Sequence, residues 1–477
     1  IYNIKYIYNT FYPIEEKIDD DNFVKNIYQV IFRNEVQNLV NIYDEYNLPY
    51  TDFLNKANSY FTQSILKDLY NVNDYTKFLI NTDEYNLPKE ISNGTRAFTY
   101  IELDDLNEKN SMVRFHRTEY DSAGYEVEVR KAKIRLSLLR DNLKPILKSK
   151  LNLKLKPNNA FIKLFEILKL NPYLISKKRN INTFHLAEAP GHFIKSVEAY
   201  IKQRDLQYGQ TTKFEWWANS LNPYNATVRK NFNTLIGDDY NLIKNNPNRW
   251  LWGKDNTGDI TNPENLIHMK NFMRKKNITL DLVTGDAGLA VEESSLELLQ
   301  KIDLAQAIGS TYMTNVNKHV ILKHFTPFIP QFYESAEASG YFVSLIYFYA
   351  CCFKKIYLMK PVSSSNLGGE FYLVGYQKKA DVDKKIEMYL NKLSTFKVNQ
   401  PLFFKKDIPD KFFYQVYKFL DILIGSNIKT ISYQNYITNC IIRENTDDKV
   451  KQCNELSEEK LKKVSNEKIK EWFKMYI

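Results

Sequence analysis

Two short runs of apolar residues each end at a charged residue, and the two charges are opposite. Residues 282–285 are followed by Asp286, and residues 319–322 by Lys323. Buried parallel strands show this pattern, because their interior is continuously apolar and only their ends reach solvent. Ligands of open α/β sheets bind outside the carboxyl ends of the strands. Asp286 and Lys323 are therefore candidate catalytic residues, although a surface ion pair would give the same pattern.

The elements around these two residues predict an α/β sheet. Residues 183–187 form a predicted strand that breaks at a tight turn, and residues 193–203 follow as an amphipathic helix. Further strands are predicted at 281–283 and 319–323, and a hairpin at 355–359 and 371–374. If the second hairpin strand is antiparallel, Glu370 at its beginning shares the edge that carries Asp286 and Lys323.

The whole chain of 477 residues is long enough for two or three domains. Residues 1–150 are predicted to be mostly helical, with strand-like stretches at 96–102 and 127–130, and to bind RNA or a partner. Residues 151–379 hold the alternating α/β pattern, and residues 380–477 are helical and highly charged. The lysine-rich connector at 141–159 could be the lip of a basic groove or a solvated linker.

Charge and cysteine content limit the partners and the compartment. The net charge of +10 favours an acidic partner such as nucleic acid, although excess lysine also serves solubility. The four cysteines have no metal-ligand spacing, and they suit a reducing compartment. We therefore expect a cytoplasmic protein, with a viral factory, a virion or the nucleus left open. The cysteines are Cys351, Cys352, Cys440 and Cys453.

No membrane partner is expected. The longest apolar stretch, at residues 341–353, is shorter than the roughly 20 residues that a bilayer requires, and it predicts a buried helix. No signal peptide is recognisable at the start. Since the first residue is Ile1 and not methionine, we expect the numbering to begin inside a longer protein.

Four charged residues occur in an order that resembles the FtsJ-like (RrmJ-type) 2'-O-ribose methyltransferases. Lys163, Asp286, Lys323 and Glu370 match the Lys-Asp-Lys-Glu tetrad of that family, each within its expected local motif. The resemblance covers residues 159–376. It is closest to the branch that acts on mRNA caps, including versions from large DNA viruses. Three segments support that branch, namely residues 184–194, 216–223 and 252–260.

The resemblance implies a fold, a cofactor and a set of residues that hold it. The fold would be a Rossmann-like methyltransferase sheet with a terminal antiparallel hairpin, and the cofactor S-adenosylmethionine, with no metal. Gly191 would let the backbone approach the methionine part of the cofactor. Asp259 would accept from the adenine amino group, with Ile260 packed on the ring. The full predicted set is Glu188, Ala189, Pro190, Gly191, His192, Phe193, Asp259 and Ile260.

One residue departs from the family pattern. Relatives usually show a second glycine at the position of His192. Its side chain could turn to solvent, or the cofactor pocket could be changed. Either outcome would leave the tetrad unaltered.

The chemistry that the resemblance implies is general-base catalysis. A ribose 2'-hydroxyl is a poor nucleophile at neutral pH, so methyl transfer needs a positioned base. Lys323 could serve if burial or a neighbouring cation lowers its pKa. Lys163 would supply nearby positive charge, while Asp286 and Glu370 would orient the lysine.

Three other functions remain open. The substrate could be ribosomal or transfer RNA in place of capped mRNA. The chain could also be a catalytically silent RNA-binding subunit that joins a capping or transcription assembly. A nicotinamide-dependent dehydrogenase is disfavoured, because the segment 188–193 offers one glycine where a GxGxxG turn needs three.

The tryptophans and histidines are predicted to have structural roles, with no part in metal binding. Trp216, Trp217, Trp250 and Trp252 could stack on bases, but aromatic residues are more often part of a core. His185 and His268 lack partners at metal-ligand spacing. His324 is expected to pack behind its strand.

Overall fold

The computed structural model describes residues 76–88, 95–108, 124–175, 179–231, 237–288, 295–327, 337–443 and 448–477. Seven strands in these residues form one mixed sheet. The strands are β1 (Thr76–Asn81), β2 (Asn180–Leu186), β3 (Lys213–Ala218), β4 (Leu282–Gly285), β5 (His319–Phe325), β6 (Phe353–Lys360) and β7 (Glu370–Lys378). Their order across the sheet is β1-β6-β7-β5-β4-β2-β3.

Helices cover both faces of this sheet. In chain order they are α1 (Glu126–Leu136), α2 (Leu138–Lys150), α3 (Asn159–Leu170), α4 (His192–Tyr208), α5 (Ala226–Asn231), α6 (Leu242–Asn245), α7 (Pro263–Lys275), α8 (Leu296–Met313), α9 (Ala338–Cys352), α10 (Val382–Ser394), α11 (Asp410–Arg443) and α12 (Asp448–Tyr476). The predicted α/β fold class is confirmed.

The topology brings the candidate residues to one edge. Strands β2, β3, β4 and β5 are parallel to one another, and β7 runs antiparallel between β5 and β6. Phe325 at the end of β5 lies opposite Glu370 at the start of β7. The predicted hairpin is therefore confirmed, and Glu370 lies at the edge formed by the carboxyl ends of β2, β4 and β5.

Alternation along the strands separates two cores. In β5, Val320 and Leu322 pack into the core on one face, while Ile321 packs into the core on the other. Successive side chains of a strand point to opposite faces, so a doubly covered sheet needs apolar residues at every position. Helices α7 to α10 contribute to the first core, and α3, α4 and α12 to the second. This continuous apolar pattern is the reason that the strands could be predicted from the sequence.

The apolar stretch at 341–353 lies almost entirely in α9, every residue of which is buried. The prediction of a buried helix is thus confirmed, apart from Phe353, which begins β6. Cys351 and Cys352 at the end of α9 are buried and unpaired. Among the described residues, no helix combines the length and the apolar character that crossing a bilayer would take.

The N-terminal region departs from the prediction in three places. Residues 95–100 form no strand, and residues 101–108 are helical. The stretch at 127–130 lies in α1, because Val129 and Ala132 occupy one buried helical face. Strand β1 was missed, and it extends the sheet antiparallel to β6. The expectation for residues 1–75 lies outside the described residues.

The lysine-rich connector is helical over its first half. Helix α2 continues to Lys150 and contains Pro145. The remaining residues before α3 are irregular, and Lys154 and Lys156 are exposed there. Both interpretations of the connector, as a groove lip or as a solvated linker, are compatible with this exposure.

Candidate active site

Lys323 and Asp286 are ion-paired at the carboxyl ends of neighbouring strands. The Lys323 Nζ lies 2.7 Å from Asp286 Oδ1 and donates to the Asp286 backbone oxygen at 3.1 Å. The two side chains are 13% and 23% exposed, so the pair is mostly buried but still reaches solvent. Two of the three ammonium N–H groups are thereby engaged. Within the ranges that the structure describes, no third hydrogen-bond partner of Nζ is found.

Gln306 fixes the backbone on both sides of this pair. It is fully buried on α8, where its Oε1 accepts from Ala287 N at 2.9 Å and its Nε2 donates to the Lys323 carbonyl at 2.7 Å. A buried amide with both ends satisfied holds its partners in one register. Gln306 was not predicted as a site residue, because its only signal in the sequence is a polar residue on the apolar side of a helix.

Lys163 and Glu370 form the second ion pair of the predicted tetrad. Lys163 lies in the second turn of α3, and its Nζ is 2.6 Å from Glu370 Oε1. The same carboxylate oxygen accepts from the Ser364 hydroxyl at 3.0 Å. Asn158 is the N-cap of α3, and its side chain accepts from Phe161 N. The cap fixes where the helix starts and hence where Lys163 projects.

Neighbouring charges shift the pKa values of Glu370 and Lys323. Burial would raise the pKa of Glu370, but Lys163, Lys323 and Lys360 outweigh it and lower that pKa to about 2. Burial would lower the pKa of Lys323, yet Asp286 and Glu370 outweigh burial, and its pKa is raised. The lowered pKa that a lysine base requires is therefore not found in the ligand-free protein, because two carboxylates face this lysine.

Lys360 is a fifth charged residue at the same edge. Its Nζ donates to the backbone oxygens of Gly368 and Glu370, so it holds the hairpin turn at the start of β7. Burial lowers the pKa of Lys360 to about 7; nearby Glu370 opposes this shift, and Lys163 adds to it. Lys360 was not among the predicted site residues, although the apolar run that ends in this lysine at the end of β6 is the same kind of signal that pointed to Lys323.

The turn after β2 is built around a buried carboxylate. Glu188 Oε1 accepts from Phe193 N at 2.7 Å and Ile194 N at 3.1 Å, and so caps the first turn of α4. Burial raises the pKa of Glu188 well above its usual value. Phe193 directs its side chain into the core beneath the sheet. Glu188 and Phe193 therefore shape the turn, and direct contact with a cofactor stays a prediction for both.

Gly191 adopts a left-handed backbone conformation that favours glycine. Its φ is +112°, and a Cβ at this position would lie 2.2 Å from Leu242 Cδ1. Ala189 and Pro190 before it are buried. The next residue, His192, is half-buried and its Nδ1 lies 3.0 Å from the Tyr240 hydroxyl, so its ring does not turn away to solvent.

Two side-chain oxygen acceptors lie near the carboxyl ends of β2 and β3, on Asp259 and Asn219. Asp259 is half-buried; its Oδ1 accepts from Thr261 N at 2.8 Å, and its Oδ2 has no partner among the described residues. Ile260 beside it is 8% exposed. Asn219 directly follows β3, where its buried Oδ1 lacks a hydrogen-bond partner in the part of the chain that the structure describes. These acceptors lie beyond the carboxyl ends of β2 and β3, where ligands of such sheets bind.

The remaining aromatic residues and histidines are mainly structural. Trp216, Trp217 and Trp250 are buried and Trp252 is half-buried, which confirms the core interpretation for three of the four. His185 is buried between two threonine hydroxyls, and burial lowers its pKa to about 3. His324 packs behind β5 against Tyr349 and Asp303, as expected. Within the described residues no cluster of histidine, cysteine or acidic side chains could hold a metal ion.

Comparison with known proteins was consistent with this geometry. A sequence model described as FtsJ-like methyltransferase matches residues 157–378. An uncharacterised protein of Acanthamoeba polyphaga mimivirus is 28% identical over 284 residues, covering 58% of this chain and 33% of that protein. The cap-specific mRNA (nucleoside-2'-O-)-methyltransferase 2 of Danio rerio is 31% identical over 268 residues, covering 54% of this chain and 33% of that enzyme.

A third relative is also viral. A probable methyltransferase of African swine fever virus is 26% identical over 255 residues, covering 51% of this chain and 54% of that protein. The chain therefore spans about a third of the length of the mimivirus and zebrafish relatives, with 33% of each covered, and about half of the third.

Members of this family use S-adenosylmethionine as methyl donor. The residues present fit that molecule. An unpaired carboxylate oxygen on Asp259 and an orphaned acceptor on Asn219 suit its amino and hydroxyl donors, and Ile260 offers an apolar surface. Together with the two lysine-carboxylate pairs, these features agree with the match of residues 157–378 to the FtsJ-like methyltransferase model.

Proposed function

We propose that this chain transfers a methyl group from S-adenosylmethionine to the ribose 2'-hydroxyl of a cap-proximal nucleotide of mRNA. The observation that carries the proposal is the convergence of two lysine-carboxylate pairs, Lys323 with Asp286 and Lys163 with Glu370, on one edge of the sheet. A 2'-hydroxyl must lose its proton as it attacks, and a positioned base meets that need.

Lys323 is the base in this proposal. Asp286 engages two directions on its Nζ, so the third direction is the one along which a proton is exchanged with the substrate hydroxyl. When bound, the donor supplies the methyl group and a positively charged sulfonium. That positive charge would oppose the effect of the carboxylates that raise the pKa of Lys323 in the ligand-free protein, and so would favour its neutral amine.

Lys163 and Glu370 act as the supporting pair. The ammonium of Lys163 lies beside a carboxylate whose low pKa keeps it ionised throughout the physiological range. Glu370 also faces Lys323 electrostatically, so it links the two lysines. The pair therefore fixes the spacing of the positive charges that the substrate meets, which is an orienting contribution.

The choice of capped mRNA as substrate rests on the relatives and on charge. One relative carries the name of a cap-specific mRNA methyltransferase, and the net charge of +10 favours a polyanion. A capping or transcription partner is part of the proposal, since larger relatives extend well beyond the matched region.

The test is transfer of labelled methyl to short RNAs that differ only in a 5' cap. We expect transfer to capped RNA and at least tenfold less to the uncapped form. Equal transfer to both would favour ribosomal or transfer RNA as substrate. RNA binding without any transfer would identify a silent RNA-binding subunit.

Gly258→Ala is expected to weaken donor binding. Gly258 has φ +76°, and a Cβ there would lie 1.7 Å from the backbone oxygen of Ser220, which cannot move aside easily. The neighbouring Asp259 would be displaced, and we expect binding of S-adenosylhomocysteine, measured by calorimetry, to weaken by roughly tenfold or more.

Gly209→Ala is the matched control for this substitution. Gly209 also has positive φ, +60°, but nothing lies within 4 Å of the added Cβ. It should bind the ligand like the wild type. Equal affinity of both variants would mean that the Asp259 loop does not hold the donor.

A further inference from the structure

The C-terminal helix reaches the active-site region through one buried tryptophan. Trp472 on α12 is fully buried, and its indole N–H donates to Glu166 Oε1. Ile469 on the same helix packs into the same core as α3. Helix α12 lies outside the residues matched by the family model, which end at 378. The contact therefore joins an element outside the matched region to the methyltransferase domain.

Glu166 collects three donors in a site without solvent. Its Oε2 accepts from Ser363 N at 3.1 Å and from Ser363 Oγ at 2.8 Å, while Oε1 accepts from Trp472. Burial raises the pKa of Glu166 to about 7, and the hydrogen bonds from Trp472 and Ser363 oppose that shift. A buried carboxylate that loses one donor loses much of what compensates its desolvation.

Glu166 and Ser363 each lie close in the chain to a residue that forms or contacts the ion pair between Lys163 and Glu370. Glu166 follows Lys163 on α3 by three residues, about one helical turn, and Ser363 precedes Ser364, which donates to Glu370. Lys163 on α3 and Glu370 at the start of β7 are themselves ion-paired. Glu166 thus fastens the turn that carries Ser364 to the helix that carries Lys163.

We propose that Trp472 is a positioning residue for methyl transfer: through Glu166 and Ser363 it holds the turn after β6 against α3 and so sets the geometry of Lys163 and Glu370. The proposal rests on the function proposed above. Helix α12 is then required for full activity. A partner that binds α12 could change the positions of Lys163 and Glu370 through the contact between Trp472 and Glu166.

The experiment compares Trp472→Phe with Ile469→Ala in the full chain. The first keeps an aromatic ring but removes the donor to Glu166, and the second removes core packing from the same helix without touching Glu166. We expect Trp472→Phe to lower kcat for RNA methylation about tenfold with KM for S-adenosylmethionine unchanged, since small misplacements of catalytic groups are costly. Ile469→Ala should keep kcat within twofold despite an equal or larger loss of Tm.

Coupling provides a second measurement. Ser363→Ala should also lower kcat, and the double variant Trp472→Phe, Ser363→Ala should lose clearly less than the product of the two single losses, because both act through one carboxylate. Independent, multiplicative losses would overturn the proposal. So would a fall in kcat that follows Tm equally in Trp472→Phe and Ile469→Ala.

Chemical labelling separates this proposal from the proposed function. Acetylation of individual lysines, read by mass spectrometry, reports whether Lys163 stays paired even if RNA methylation is absent. We expect Trp472→Phe to raise labelling of Lys163 severalfold over the wild type and over Ile469→Ala, with Lys318 unchanged. Labelling of Lys163 that is the same in Trp472→Phe and in the wild type would overturn the positioning role. If labelling of Lys163 rises in Trp472→Phe as expected but the wild type methylates no RNA, only the proposed function is overturned.

Discussion

Replacing Lys323 by alanine should reduce methyl transfer to RNA by roughly a hundredfold or more, the effect typical of removing a positioned base. The side chain is only 13% exposed and belongs to no apolar core, so its loss leaves the sheet intact. Binding of S-adenosylhomocysteine should stay within a few fold of the wild type. The measurement is single-turnover transfer of labelled methyl to capped RNA, alongside calorimetry of donor binding.

The same two strands supply a matched control at their opposite ends. Lys318 precedes β5 and pairs with Asp281 before β4 at 2.7 Å, the same distance that separates Lys323 from Asp286. The exposures are also similar, 19% and 12% for this second pair. Lys318→Ala thus breaks an equivalent ion pair at the amino ends of the strands, opposite the carboxyl ends at which ligands of such sheets bind.

The comparison of the two variants decides between catalysis and stability. If Lys323→Ala lowers the rate and Lys318→Ala does not, the loss cannot be attributed to a broken ion pair between β4 and β5. If both lose activity and Tm alike, Lys323 is a structural residue. Retained activity in Lys323→Ala would refute the assignment of the base outright.

The sheet could be predicted from the sequence because both its faces are covered. A doubly covered strand such as β5 must be apolar at nearly every position, and that pattern ends sharply where the strand ends. Strand β1 was not predictable in the same way. It lies at the sheet edge with Leu79 43% exposed, so its pattern does not differ from that of the predicted helical surroundings.

The tetrad could also be predicted, whereas the residues that hold it could not. Lys163 and Glu370 are 207 positions apart, and only the family resemblance joined them before the structure did. Gln306, Glu166 and Trp472 bond to their partners across distant parts of the chain, and nothing local distinguishes such side chains from ordinary polar or core residues. The raised pKa of Lys323 likewise depends on which carboxylates the fold brings near it.

Asp286→Asn should both slow the reaction and shift its dependence on pH. The carboxylate of Asp286 stabilises the ammonium form of Lys323, so removing its charge lowers the pKa of that lysine, while Glu370 and Asp303 still raise it. A base works in its neutral form, and the rate therefore rises with pH through its pKa. In the variant the rising limb of kcat/KM should move to lower pH by about one unit or more.

The plateau of the same profile should fall by roughly a hundredfold, because Asp286 Oδ1 no longer holds Lys323 Nζ in its charge-assisted hydrogen bond and alignment is lost. The two effects oppose each other below the plateau. At low pH the variant has the larger neutral fraction, so its deficit relative to the wild type should shrink as pH falls.

The control is Asp281→Asn, at the opposite ends of the same strands. It should leave the rising limb of kcat/KM at the same pH as in the wild type. A deficit for Asp286→Asn that is equal at every pH would mean that Asp286 orients a group whose titration does not govern the rate, and Lys323 could not be the base. A deficit that widens at low pH would contradict the sign of the charge effect itself. Only the narrowing deficit requires both a lysine base and a carboxylate that raises its pKa while keeping it aligned.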